Sequence, residues 1–454
     1  MADMYDNRRS SSSQYFHAPD TYSDIGNQKS DIGKQKSDIG NQNRISEIKN
    51  RISDIKNQIV KKPPSMRFNL ILPFCLLLSA CSVKTAPKIS SKTLQFTVEA
   101  APEWTQLFNR NSGWFGSDGI FSIPLSGVDK VGNIGNQETL LLFSDTYIGE
   151  VEGKAPKPGN HMVNNTVAIV QGNSANPDSI RFFYKQDGQG TPQTFFVPKP
   201  KTGQKEHFWL GDGFVNQERD STLYLFAYHI QVTGVGVFDF TEPDVSILAL
   251  PAGSRPPFTE QREIKTPLHI NIPGVGEGNF GAGILANTKW AGALHPDGYV
   301  YVYACIGKDK NLVAARVKPK YFEDFSRWTY WNGKDWTADI QQLKGITNSV
   351  SNELSVTPLA DGRYALIFQV MGLSDKVGMR IGDSPVGPFG EIQEIWRTPE
   401  WDEGLFCYNA KAHPNLSKSG ELLISYNTIT LDFWKDIQLD AHIYRPRFIR
   451  LKWK

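Results

Sequence analysis

Acidic residues recur beside short apolar runs in this 454-residue chain. Asp118 stands in GSDG just ahead of FSIPL, Asp145 follows TLLLF, Asp212 stands in LGDG ahead of TLYLFAYH, and Glu353 lies in SNELSVTPL. Carboxyls gathered in one place raise each other's pKa and must be held there by the fold. Functional sites are where that cost tends to be tolerated. The chemistry that uses opposed carboxylates is glycosidic cleavage, in which one acts as an acid with raised pKa and the other as nucleophile or base. Asp next to Gly is also ordinary turn composition, because Asp bonds its own backbone and Gly supplies positive φ. Recurrence of the layout favours a site over isolated turns.

The elements that would position these residues are strands. FSIPL and TLLLF are rich in strand formers and flank a polar segment between Gly127 and Gly135, the pattern of an antiparallel hairpin. In such a pair Asp118 precedes one strand and Asp145 follows the next, so both emerge at one edge of the sheet. The layout yields five copies: GSDG with LLLFSDT, LGDG with LYLFAYH, ILANTKW with GYVYVYACIG, SNELSVTPL with YALIFQV, and NAKAHPNL with ELLISYN. Short polar turns (QERDS, HPDG, ADG, KSGE) join the two strands in the last four. Further strands such as VGVFDF, LVAARV, KVGMRIG and IYRPRFIRLKW would complete each unit. Five units of this kind suit an all-β, five-bladed β-propeller over residues 96–454 better than a sandwich. The residues leading its inner strands would then converge: Asp118, Asp212, Asn287, Glu353, Lys411 and His413. Asp145, His229, Gln369 and Asn427 would return to the same mouth on the second strands.

Composition excludes other classes. With 49 basic and 47 acidic residues, a net charge of +2, the chain lacks the basic excess of a nucleic-acid binder. There is no CxxC, HExxH, GxxxxGK[ST] or GxSxG, so zinc, nucleotide and serine-hydrolase chemistry have no support. Cys305 and Cys407 could form one disulfide but no small-domain disulfide framework.

The first 95 residues differ from the rest. Residues 1–65 are polar and carry a seven-residue repeat, SDIGNQK through RISDIKN. Residues 66–81 read as a lipoprotein signal: a basic start, an apolar run too short to span a membrane, and Leu78-Ser79-Ala80-Cys81. That box resembles the lipobox of bacterial lipoproteins, which implies cleavage before Cys81, a lipid on its thiol and a tether over 82–95. The expectation is that translation starts at Met66. Ser82 after the cysteine implies the outer membrane of a bacterial cell envelope.

GWFGSDGIFSIPL with LLLFSDTYIG, ELSVTPL, SPVGPFG and YNAKAHPNLSKSGELLISYN resembles an uncharacterised group of secreted bacterial proteins. That group is related to five-bladed propeller glycosidases: arabinanases, xylosidases, invertases and, nearest, enzymes cutting D-arabinan. The resemblance covers about residues 100–454. It implies Asp118 as nucleophile or base, Asp212 as a stabiliser of its partner's pKa and Glu353 as general acid. The WMNDPNG, RDP and EC motifs of invertases are absent, which counts against fructans. Trp114, Trp209 and Tyr408 are candidates for stacking on sugars, with aromatic packing between blades as the alternative. Asp145, His229, Asn287, Gln369, Lys411, His413 and Asn427 are candidate substrate contacts. The expected protein is a monomer acting on a polysaccharide, with a membrane contact through Cys81. It requires no cofactor, although a central structural cation such as calcium is compatible with the channel. The rival expectation is a glycan-binding lipoprotein that keeps the channel without hydrolysis.

Overall fold

Strands such as TLLLF carry no polar alternation because both of their faces are buried. In the computed structural model, Leu140 and Leu142 enter one apolar cluster, while Leu141 and Phe143, between and beyond them, enter the next. Leu223 and Leu225 part in the same way from Tyr224 and Phe226, and Val300 and Val302 from Tyr301 and Tyr303. Successive side chains of a strand point to opposite faces, so each central strand feeds the two cores on either side of its sheet. Five cores between five sheets follow from this, which is a propeller.

The structure describes residues 94–133, 137–199, 206–236 and 239–454. The repeat, the lipobox and Cys81 lie outside the described residues. Each blade is an antiparallel sheet whose inner strand precedes its hairpin partner in the chain. The inner strands are Ser112–Pro124, Glu206–Asn216, Gly276–Asn287, Leu354–Pro358 and Phe406–Ala412, for blades 1 to 5. Their hairpin partners are Glu138–Glu152, Thr222–Val232, Tyr299–Ile306, Tyr364–Gln369 and Glu421–Ile429. Blade 5 is completed from the other end of the chain, where Phe96–Ala100 pairs with Arg447–Trp453 and closes the ring. The helices among the described residues are short, Pro102–Leu107 and Phe433–Asp436.

Four expectations need correction. Asp118 and Asp145 do not bound their strands, because Ser112–Pro124 and Glu138–Glu152 run several residues past them. The third copy of the layout is FGAG at Phe280 to Gly283, so Asn287 ends its inner strand and lies at the opposite end of the channel. In blade 2 the third strand is Phe240–Leu250, beginning where VGVFDF ends. Cys305 and Cys407 are both free thiols.

The turn after blade 1's inner strand reaches three other blades at that far end. Gln217 Nε2 donates to Ser126 O (2.8 Å), Asp129 N to Ala291 O (3.1 Å) and Gly132 N to Ser417 O (3.0 Å). The channel is therefore crossed at one end and entered from the other.

Candidate functional site

The inner strands are interrupted at one common level. Pairing slips between Ser117 and Gly119 in blade 1, Leu210 and Gly213 in blade 2, Phe280 and Gly283 in blade 3, and Tyr408 and Lys411 in blade 5. A bulge frees a residue from the ladder and re-aims its side chain, and the residues freed include Asp118, Asp212 and Asn409. Glycine is required beside them. Gly119 has φ +81°, and a Cβ on Gly213 would stand 2.4 Å from the Tyr224 carbonyl oxygen. In blade 5 the left-handed position is filled by Asn409, φ 58°, a residue type that tolerates it. Glu353 immediately precedes the inner strand of blade 4.

The bulges build two layers. In the upper one, Asp118 lies close enough to Asp145 and Glu353 for both charges to act on it. Tyr408 Oη donates to Asp118 Oδ2 (3.0 Å), and Tyr444 adds a weaker hydroxyl contact. Asp118 Oδ1 is buried with no hydrogen bond of good geometry. Burial first, then the charges of Asp145 and Glu353, push the Asp118 carboxyl up to about 8. Asp145 Oδ1 accepts from Trp209 Nε1 (3.0 Å) and Asn164 Nδ2 (3.2 Å). Burial raises its carboxyl to about 6 against the pull of those two bonds. Glu353 Oε1 accepts from Asn409 Nδ2 (2.7 Å), and Oε2 is ion-paired with the Lys411 ammonium. Burial raises the Glu353 carboxyl above its ordinary value, and the charge and hydrogen bond of Lys411 oppose that rise without cancelling it.

Asp212 belongs to the lower layer. Its oxygens accept from Gly213 N (2.8 Å) and Ile284 N (2.7 Å), and the charges acting on it are those of Asp129 and Lys411. Burial is the main reason its carboxyl rises to about 7. It lines a cavity of about 610 Å3, counting its opening, together with Asp129, Thr357, Lys411 and the apolar Phe121 and Phe214. The structure thus sets Asp145, rather than Asp212, beside Asp118.

The other candidate residues divide by placement. Trp209 and Tyr408 are half-buried at the upper layer as donors to carboxylates. Trp114 is 1% exposed inside the aromatic cluster of Phe108, Phe143 and Phe182, so it does not face the mouth. His229 is buried within blade 2, with Nδ1 3.4 Å from Glu206 and Nε2 2.9 Å from Ser246 Oγ. Gln369 and Asn427 are buried on second strands at the mouth's level, and Gln369 Oε1 and both amide atoms of Asn427 have no hydrogen-bond partner. His413 lies past the end of its inner strand, next to Pro414. Its ring nitrogens meet Ser122 Oγ (2.9 Å) and Ser425 Oγ (2.8 Å), and burial lowers its pKa to about 3. A neutral imidazole with both nitrogens engaged is a structural one. Asn287 is buried at the far end of the channel, away from the mouth. Sequence reasoning missed Asn164, Asn409 and Tyr444. Asn409 alone carried a signal, as a residue suited to positive φ inside a strand-like run.

Residues 102–453 match the family described as a domain of unknown function, DUF5005. The chain belongs to that family. No curated protein matches this DUF5005 chain. Among solved structures, a Bacteroides ovatus protein described no further than as a hydrolase has a TM-score of 0.60 at 18% identity, over 81% of this chain and 96% of its own. The α-L-arabinofuranosidase of Podospora anserina, solved with cellotriose, covers 76% of this chain and 97% of its own at 11% identity and a TM-score of 0.39. A GH43 enzyme of Xanthomonas citri, solved with xylose, covers 77% and 92% at 14% identity and a TM-score of 0.34. The B. ovatus likeness bears on the fold. Among the described residues no three His, Cys, Asp or Glu side chains are grouped to hold a metal ion.

Proposed function

We propose that this DUF5005 protein is a glycoside hydrolase whose reacting carboxyls are Asp118 and Glu353, with Asp145 as the third carboxyl of the site. The observation that carries this reading is their meeting at one mouth from blades 1 and 4, with donors from blade 5 on both. Two carboxyls in different environments are what acid-assisted glycosidic cleavage needs. Unpartnered polar atoms around them, Asp118 Oδ1, Gln369 Oε1 and the Asn427 amide, are available to sugar hydroxyls. Furanosides of the arabinan type are the first substrates to screen, because the motifs resemble enzymes of that group. The box Leu78 to Cys81 supports a lipid anchor on Cys81 and a place in the bacterial envelope, which mass spectrometry of membrane-extracted protein would test.

The deciding experiment measures product release from arabinan, arabinogalactan, xylan and aryl furanosides, with binding followed by calorimetry. The hydrolase reading expects products from wild type and a large loss of turnover, with binding kept, in Glu353→Gln. A wild type that binds a glycan tightly, releases nothing, and binds equally well after either substitution is a binding protein instead.

A further inference from the structure

The geometry points to Lys411 as a positioning residue that holds Glu353 as a carboxylate, so that the proton used in cleavage resides on Asp118. This deepens the hydrolase reading and rests on it. It also reverses the roles that the family resemblance implies.

Both oxygens of Glu353 face donors: Asn409 Nδ2 at Oε1 and the Lys411 ammonium at Oε2. An O–H on either oxygen would point at an N–H and lose a hydrogen bond, so a proton there is disfavoured. Lys411 is 2% exposed, and its Nζ also donates to Gly119 O (3.2 Å) and lies 4.5 Å above the Phe121 ring. A carbonyl and a ring face soften a buried ammonium, but neutralising it takes an anion. Glu353 is the anion in contact with it.

Asp118 is the reverse case. One oxygen accepts from Tyr408, the other has no hydrogen bond of good geometry, the weaker Tyr444 contact is a hydroxyl that can turn to accept, and the carboxylates acting on the group are Asp145 and Glu353. A proton on Oδ1 displaces no donor and removes a like charge. The remaining titratable groups facing the pair are the hydroxyls of Tyr408, Tyr444 and Tyr228, which burial holds neutral. The rise of Asp118 to about 8 agrees with this placement.

The step balances. Asp118 gives its proton to the glycosidic oxygen, which leaves with the electron pair of the broken C–O bond. Glu353 accepts a proton from the water whose oxygen bonds to the anomeric carbon. One water is consumed, two hydroxyl groups form, and a proton passes from Glu353 to Asp118 before the next turnover.

Leaving-group dependence tests this. An activated aryl glycoside needs little acid assistance, so Asp118→Asn should lose on the order of 10² to 10⁴ in rate on an unactivated substrate and recover most of it on an activated one. Glu353→Gln should be equally impaired on both. Lys411→Met frees Glu353 to bind a proton, so the acid limb of the kcat/KM profile should move up by about one pH unit or more. Lys411→Arg should restore most of its position. A second readout needs no turnover: the infrared difference between wild type and Asp118→Asn should contain a carboxyl C=O component that titrates above those of Asp212 and Asp145, near pH 8, and that Glu353→Gln retains. Rescue of Glu353→Gln by the activated substrate, or a component near pH 8 that survives in Asp118→Asn, overturns the assignment. A wild type that shows the Asp118 band but cleaves nothing leaves the proton placement standing and removes the hydrolase reading alone.

Discussion

Blade 2 holds a second buried acid–base cluster, and its difference from the mouth separates architecture from chemistry. His229 lies between Glu206 and Glu263, whose side chains are 4% and 11% exposed, and Ser246 Oγ bridges His229 to Glu263. Glu263 also accepts from Lys199 N. Every ring nitrogen and both carboxylates there have partners, and the hydrogen bond from His229 holds the Glu263 carboxyl down at about 2. At the mouth the shift is opposite, because burial and then the charges of Asp145 and Glu353 act on Asp118, with Oδ1 lacking a hydrogen bond of good geometry. A satisfied cluster stabilises a fold, whereas a cluster with an unsatisfied oxygen and raised pKa values has something left to give a ligand.

The largest expected effect breaks the comparison on the mouth side. Asp118→Asn and Glu353→Gln should each lower turnover by on the order of 10² to 10⁴. Asp118→Asn should also melt higher than wild type. The sign follows from linkage: a carboxyl raised in the folded state costs stability once pH passes its ordinary value, and the cost grows until pH reaches about 8. The gap in melting temperature should therefore widen from about pH 4 to about pH 8. A gap that is constant with pH would mean that Asp118 is not raised.

On the blade 2 side the expectation inverts. His229→Leu removes the imidazole between Glu206 and Glu263, so denaturant unfolding should show a loss of about 3 kcal/mol. Turnover per folded molecule should be unchanged. The contribution of Glu263 is present above the ordinary carboxylate range and is lost as pH falls toward 2. A variant of normal stability with collapsed turnover would move His229 into the site.

His413 sharpens the contrast by a smaller amount. Its pKa falls from an ordinary 6.5 to about 3, so between those values the unfolded chain binds the extra proton. Wild-type stability should fall by about 1.4 kcal/mol per pH unit on acidification through that window. His413→Gln should lack that slope and keep its turnover, with guanidinium melts at pH 4, 5 and 6 as the measurement.

How much of this was legible depended on distance along the chain. Hairpins were readable because turn and strands are contiguous, and the propeller followed from counting them. G-x-D-G was readable as an acidic turn, yet its glycines mark bulges inside longer strands. That difference was hidden because an apolar run looks the same on either side of a bulge. The misplacement of Asn287 has the same cause: ILAN reads as a strand beginning when FGAG, four residues earlier, is the equivalent point. The Lys411–Glu353 pair joins residues of different blades, and no local pattern records it. Asp212 was rightly seen as a repeat of Asp118, but its bulge hands it to the backbone amides of Gly213 and Ile284 one layer down.

The smallest expected effect belongs to Tyr408→Phe, and its direction is the sharpest test of which carboxyl holds the proton. The substitution removes one donor, the hydroxyl 3.0 Å from Asp118 Oδ2, and leaves the ring in place. A hydrogen bond to the charged form lowers a carboxyl's pKa, so its loss should raise Asp118 further. One such bond is worth about 1 kcal/mol, or roughly 0.7 of a pH unit. If Asp118 is the acid, activity is lost at high pH as Asp118 ionises, and Tyr408→Phe should carry that limb upward by about that amount while kcat falls less than about tenfold. Loss of Lys411 raises Glu353 instead and moves the opposite, acidic limb. If Asp118 were the base, Tyr408→Phe would move the acidic limb and leave the alkaline one in place.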